Sequence, residues 1–292
     1  MTASMQKIGE VTVHRIVEQE TAFLPALEVL PTLTADLLAE NRHWLAPAAL
    51  DADGFLVLCF QSYVLRTPHH VILIDSCIGN HKQRPTRPKW HDKSDAAFMT
   101  ALAAHRLRVE DIDIVMCTHL HADHVGWNTR LEGGRWVPTF PNARYVFGAT
   151  EYAHWEAVNA KAPVAPFNDS VLPILEAGRA DLVTGDHEID DLVRLVPTPG
   201  HTPGHVAVAF GRGRDDGIVT GDVMHSPLQA RYPEISAVFD VDRAQAAVTR
   251  RAVLERCCDS DTVCCPAHFP SPSWGHVRRW GDGFRLERPA AT

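Results

Sequence analysis

The chain has 292 residues, 45% hydrophobic and 22% charged, with a net charge of −8 and a pI near 6.1. That is ordinary globular composition with ample length for a sizeable core. No long Lys/Arg run marks a nucleic-acid surface, since "HVRRW" at 276–280 is too short for one, and no stretch approaches the roughly 18 consecutive apolar residues that would span a bilayer.

The N-terminus, "MTASMQKIGEVTVHRIVEQE", lacks the basic start and apolar run of a signal peptide, so a cytoplasmic location is expected. Apolar and β-branched residues predict strands over 10–18 ("EVTVHRIVE") and 55–66 ("FLVLCFQSYVLR"). The Leu-, Ala- and Pro-rich stretch between them, 19–53, reads as a loop with a short helix near 34–41. Such an insertion covers a site, makes a dimer contact or is a plain surface excursion. "HVILIDSCIGN" (70–80) is an apolar strand ending in Asp75 and a Gly-Asn turn. A helix is predicted over 94–107, with Ser94 as its cap and Asp95 in the first turn. "DIDIVMC" (111–117) is the next strand, and 142–160 reads as a strand and then a helix. "DLVRLVPTPGHTPGHVAVAF" (191–210) gives strand, loop and strand, and "GIVTGDVMH" (217–225) a strand ending at Gly221-Asp222. Residues 241–257 are helical, and 261–270 hold a short strand ending at His268. "GRGRDDG" (211–217) sits between two strands as a hairpin loop would, without the strand–loop–helix context of a phosphate-binding loop.

Strands alternate with helices, which predicts an α/β fold with its site at strand ends. The seven cysteines have mostly apolar neighbours and read as reduced, buried thiols. Cys257–Cys258 and Cys264–Cys265 are adjacent pairs, whereas structural zinc sites space paired cysteines by two to four residues.

The chemistry concentrates after "DIDIVMC". In "THLHADHVGWN" (118–128), His119, His121, Asp123 and His124 fall within six positions directly after an apolar strand. Imidazole nitrogens and carboxylate oxygens suit zinc and similar divalent ions. "TPGHTPGH" (198–205) presents His201 from a Pro/Gly-stiffened turn, "TGDV" supplies Asp222, and "CPAHFP" supplies His268. Seven ligand-type residues in four segments, all at strand ends, point to a metal site.

Taken in this order, "THLHADHVGWN", "TPGHTPGH", "TGD" and "AHF" resemble the metallo-β-lactamase superfamily, over about Val11 to Trp280. The resemblance implies one domain over 1–292 with an αββα sandwich, two mixed sheets face to face with helices outside and metals at one edge. It implies a first metal on His119, His121 and His201, a second on Asp123, His124 and His268, and Asp222 bridging them. Asp75 would support the site from behind. His205 would be structural, His225 would line the pocket or sit behind or outside it, as would His276, and Trp127 and Asn128 would pack beneath the metal loop.

Two divalent ions, zinc by default with manganese, iron or cobalt as alternatives, would share a water and yield hydroxide at neutral pH. Asp123 or Asp222 would accept or relay the proton. The expected reaction is hydrolysis of a small-molecule substrate. Histidine at 121 argues against the di-iron electron-transfer branch, where a glutamate stands. "GDVMHSP", "FPNARYVF" and "AHFPSPSWGHVRR" resemble the branch of N-acyl homoserine lactonases and methyl parathion hydrolase, which implies a small ester or lactone, or a phosphotriester. Quorum-signal lactones are one such class. Lactonases of that type carry a tyrosine near the metals, for which Tyr232 is a candidate by position only. The alternative is a mononuclear iron dioxygenase of the persulfide type on His119, His201 and Asp222, and a third reading is a metal-stabilised binding protein. The pocket walls are expected from 19–53, 81–93 and 225–240. The basic stretch "HKQRPTRPKWHDK" either favours an anionic substrate or is a solvated loop. A homodimer is in keeping with the resemblance, and no nucleic-acid or membrane partner is expected.

Overall fold

The computed structural model describes residues 5–212 and 216–287. The ends of the domain expected over 1–292, and 213–215 at the tip of the "GRGRDDG" loop, lie outside the described residues. In chain order, β1 (Met5–Ile8) and the long β2 (Val11–Pro25) lead through α1 (Ala26–Val29) and α2 (Ala35–Leu45) to β3 (Phe55–Arg66) and β4 (Val71–Ile74). There follow α3 (Ala97–Ala104), β5 (Ile114–Met116), α4 (Ala122–Val125) and a small hairpin, β6 (Thr129–Glu132) with β7 (Arg135–Pro138). β8 (Arg144–Gly148), α5 (Ala149–Lys161), α6 (Leu172–Glu176) and β9 (Ala180–Val183) complete the first half. The second half runs β10 (Glu188–Asp190), β11 (Val193–Pro197), β12 (Val206–Phe210), β13 (Gly217–Gly221), α7 (Pro227–Arg231), α8 (Arg243–Cys257), β14 (Val263–Pro266), β15 (Gly275–Trp280) and β16 (Gly283–Glu287).

The strands form two seven-stranded mixed sheets, β1-β2-β3-β4-β5-β8-β9 and β10-β11-β12-β13-β14-β15-β16. Pairing is parallel for β4–β5, β5–β8, β8–β9 and β13–β14, and antiparallel elsewhere. Both faces of each sheet are covered, so these strands read as nearly continuous apolar runs with a period of two hidden inside them. Tyr63, Leu65, Ile72 and Ile74 pack between the sheets against Val206, Val208, Phe210, Val219 and Cys265. Their neighbours Val64 and Leu73 face the other way, onto Phe98 and Leu102 of α3 and Ile174 of α6. Ala207, Ile218 and Cys264 do the same on the second sheet, against Val253, Leu254 and Cys257 of α8. This is the four-layer α/β sandwich that the motif order implies.

Three expectations need correction. β2 does not end at 18 but runs to Pro25, because 19–25 pairs on with β3 across a bulge as far as Pro25↔Phe55. The helix in the insertion extends to Leu45, capped at Thr34 by its side chain accepting from Leu37 N–H. At α3 it is Asp95, not Ser94, that accepts from the first helical N–H, of Ala97. All seven cysteines are free thiols, six of them buried. No described helix is long and apolar enough to cross a membrane.

Candidate metal centre

The seven ligand-type residues, scattered over 150 positions of sequence, converge at one edge of the sandwich. His119 follows β5, Asp222 follows β13 and His268 follows β14, while His201 sits in the loop between β11 and β12. His121 Nδ1 lies 3.0 Å from both His119 Nε2 and His201 Nε2. Asp222 Oδ2 stands 3.7 Å from His119 Nε2 and 3.3 Å from His201 Nε2. Its other oxygen, Oδ1, faces the second group, 3.2 Å from His124 Nε2 and 3.0 Å from His268 Nε2. Asp123 Oδ2 closes that group at 3.8 Å from His124 Nε2 and 3.6 Å from His268 Nε2. His119, His121, His201 and Asp222 thus form one cluster of candidate ligand atoms, and Asp123, His124 and His268 another.

The donor set fits divalent cations on three counts. Four of the six donor–donor spacings in the first cluster, 3.0–3.7 Å, match the roughly 3.3 Å edge of a tetrahedron with bonds of about 2.0–2.1 Å. His124 Nε2 and Asp222 Oδ1 are buried and have no hydrogen-bond partner despite their proximity, as ligand atoms aimed at a common centre would be. Four imidazoles have their Nδ1 tied from behind, leaving Nε2 to face inward. His119 Nδ1 meets Thr118 Oγ1, His124 Nδ1 meets Asp75 Oδ2, His201 Nδ1 meets Asp240 Oδ1, and His268 Nδ1 meets the Cys59 carbonyl. Such outer bonds set the tautomer and orientation of ligand histidines.

Asp75 works twice. Its backbone turns into the left-handed region (φ 58°), which Asp tolerates better than most residues. From there Oδ1 accepts from Thr118 N–H, and Oδ2 accepts from Thr118 Oγ1–H and pairs with His124. His205 is the opposite case. Asp222 N–H donates to its Nε2, so its Nδ1 carries the proton and donates to Thr198 Oγ1, and neither nitrogen is left for a metal. Burial drives its pKa down to about 3, keeping it neutral.

Burial opposes charge throughout the cluster, yet Asp222 is held well below the usual carboxylate range because His124, His268, His225 and His119 outweigh it. His124 and His268, buried but facing Asp222 and Asp123, are raised. His201, buried between Asp222 and Asp240, is pushed up to about 9. His119 and His121 are lowered by burial and their imidazole neighbours.

Above these residues opens a cavity of about 410 Å³, whose lining includes His121, Asp123, Asp222, His225 and His268 at its polar end. Its walls come from the expected segments, with Phe23 from 19–53, residues 83–87 and Trp90 from 81–93, and His225 and Phe239 from 225–240. Leu58 and Phe60 of β3, Trp155 of α5 and 164–166 complete it and were not foreseen. Phe23, Phe60 and Trp90 pack mutually, with ring centroids 5.1–5.7 Å apart.

His225 is buried, lines this cavity, and sets Nε2 3.2 Å from Asp222 Oδ2, with neither ring nitrogen hydrogen-bonded. Tyr232 is absent from the lining, and its hydroxyl pairs with Asn41. His276 stands apart on β15, its Nδ1 3.3 Å from the Thr262 carbonyl. Trp127, stacked on Phe98, and Asn128, bonded to Ser76 and Cys117, pack beneath the ligand loop as expected. The basic stretch is mostly consumed internally. Lys82 and Arg84 pair with Asp169, Lys93 with Glu18 and Asp95, and Lys89 bonds Thr21 and Ala22. Arg87, which lines the cavity as Arg84 does, sets its guanidinium 5.5 Å from the Phe23 ring centroid. Sequence reasoning also missed Asp240, locked by the fully buried Arg250, and Glu151. A lone acid in a helix or loop carries no motif to find it by.

A family model for the metallo-beta-lactamase superfamily matches residues 61–268. An N-acyl homoserine lactonase from Bacillus sp is 33% identical over 221 residues, 71% of this chain and 81% of the relative. The chain spans only 60% of the length of an N-acyl homoserine lactonase from Bacillus cereus, 26% identical over 170 residues, and 44% of a Bacillus subtilis protein, 28% identical over 111 residues. Among solved structures, hydrolase AbOPH of the beta lactamase superfamily superposes with a TM-score of 0.83 at 19% identity, over 100% of this chain and 98% of that one. AidC, a dizinc quorum-quenching lactonase, gives 0.77 at 18% identity over 99% and 97%. With its ligand motifs in order and more than two thirds of its length inside the family model, the chain belongs to the metallo-beta-lactamase superfamily.

Proposed function

We propose that the chain is a hydrolase that uses two divalent metal ions to cleave a small ester or lactone. The observation that carries this reading is Asp222, whose two oxygens face two separate clusters at the floor of one apolar-walled cavity. His119, His121 and His201 would hold one ion, Asp123, His124 and His268 the other, and Asp222 both. Bound there, the pair would supply Lewis acidity toward a carbonyl or phosphoryl oxygen and bring the pKa of water toward neutrality. Asp123 lines the cavity, so its carboxylate is placed to accept a proton and pass it toward a leaving oxygen. Phe23, Phe60, Trp90, Trp155 and Phe239 exclude water and hold the apolar body of the substrate. The lactonase relatives favour a lactone, and zinc is the ion that the dizinc structural neighbour carries.

The test is metal analysis of protein purified without added metal, paired with a homoserine lactone, an aryl ester, a phosphotriester and a cephalosporin. About two equivalents of zinc with lactone or ester turnover is the expected result. One equivalent of iron with no hydrolysis overturns it in favour of an oxygenase.

A further inference from the structure

Glu151 lies in the first turn of α5 and is 1% exposed. No described cation pairs with it. Its carboxylate instead accepts three N–H bonds. Oε1 takes Leu120 N–H at 3.1 Å and Trp155 Nε1–H at 2.7 Å, and Oε2 takes Gly204 N–H at 3.1 Å. Leu120 is the residue between His119 and His121, and Gly204 lies between His201 and His205. One side chain therefore ties together the two loops that carry the histidines of the first cluster. Trp155 adds a third link, its ring edge-on to His121 with centroids 5.4 Å apart.

The glycine explains how the helix gets so close. A Cβ at Gly204 would stand 2.2 Å from Glu151 N and 2.5 Å from its Cα, both backbone atoms that cannot swing away. Gly200 plays the same part on the far side, where a Cβ would stand 2.3 Å from Ala246 N of α8. The histidine loop is thus held between two helix starts. Burying a carboxylate is costly unless it is hydrogen-bonded, and these three N–H groups provide the bonds.

We propose that Glu151 is a positioning residue that sets the spacing of His119 and His121 relative to His201 and so tunes metal affinity at that cluster, on the reading that the cluster binds a metal. The test uses the full chain with zinc and cobalt(II) as probes. Affinities come from chelator competition, geometry from the cobalt(II) visible spectrum, and fold from the thermal midpoint of the apo protein. Glu151→Gln turns one acceptor oxygen into an N–H donor facing another N–H, so it breaks the tie with little change in volume. The expected result for E151Q and E151A is a loss of about 10–100-fold in affinity for one of the two equivalents, with an altered cobalt spectrum and the other equivalent unchanged. If E151A does not fold, E151Q decides. Two equivalents bound at wild-type affinity with a wild-type spectrum overturn the proposal, and so does a lowered thermal midpoint with both affinities intact. A wild-type chain that binds no metal overturns the underlying metal reading and is seen before any variant is made.

Discussion

The floor and the walls of the cavity are built on different principles. On the floor, four imidazoles have one nitrogen committed to an acceptor behind it, and Asp222, His205 and Thr198 form a fixed chain of hydrogen bonds. The walls are mostly aromatic and aliphatic side chains, with Phe23, Phe60, Trp90 and Phe239 placed by packing. Directional bonds over-determine a geometry, whereas apolar contacts tolerate repacking. The floor should therefore govern whether the reaction happens and the walls which substrate it happens to.

The sharpest way to break this contrast is Asp222→Ala. It removes oxygens from both clusters, and the expected outcome is loss of one or both metals and a fall in activity beyond the roughly 10–100-fold typical of outer partners. Metal analysis and turnover check it, and full activity would remove Asp222 from the floor. Next, Asp240→Asn keeps an acceptor for His201 Nδ1–H but not the charge beside it. Metal affinity should fall by about 10-fold, read by chelator competition. On the wall, Phe23→Ala should leave metal content unchanged and lower kcat/KM for an apolar ester by about 10-fold, the kinetic equivalent of the lower end of burying such a side chain. A fall in metal content instead would mean that floor and wall are not separable.

His205→Ala sharpens the floor itself. Two equivalents of metal should remain, while the Asp222 N–H loses its acceptor and stability drops by about 1–3 kcal/mol in urea unfolding. The smallest effect is expected for Arg87→Gln. Rates should fall a few-fold for an ester carrying a distal carboxylate and stay unchanged for its neutral analogue of equal length, since a partly exposed cation contributes about 0–1 kcal/mol.

The difference between floor and wall is also a difference in what can be read from the chain. "THLHADHVGWN" announces four candidate ligands because its residue types are ones that divalent ions accept, and because the motif is short and follows a strand. The helix expected over 94–107 spans only 97–104, and β2 runs seven positions past its expected end. Local propensity does not contain the cross-strand partner that continues β2 as far as Phe55. Phe60 and Trp90 gave no signal, since a wall aromatic and a core aromatic look alike in sequence.

The sequence by itself carried the alternation of strands and helices and seven candidate ligand residues at strand ends, because these rest on residue chemistry and on periods along the chain, whereas the two-sheet sandwich, the division of the candidates into two metal groups and the structural role of His205 followed from the resemblance of its motifs to a family. Only the tertiary structure decided that Asp240 and Glu151 stand behind His201 and Leu120, that His225 faces Asp222, that Tyr232 does not, and that most of the basic stretch is neutralised by Asp169, Glu18 and Asp95. Most of these are pairings between residues far apart in the chain, from 31 positions for Glu151 and Leu120 to 191 for Tyr232 and Asn41. Which of them form depends on the geometry of packed sheets and helices, which no single segment carries.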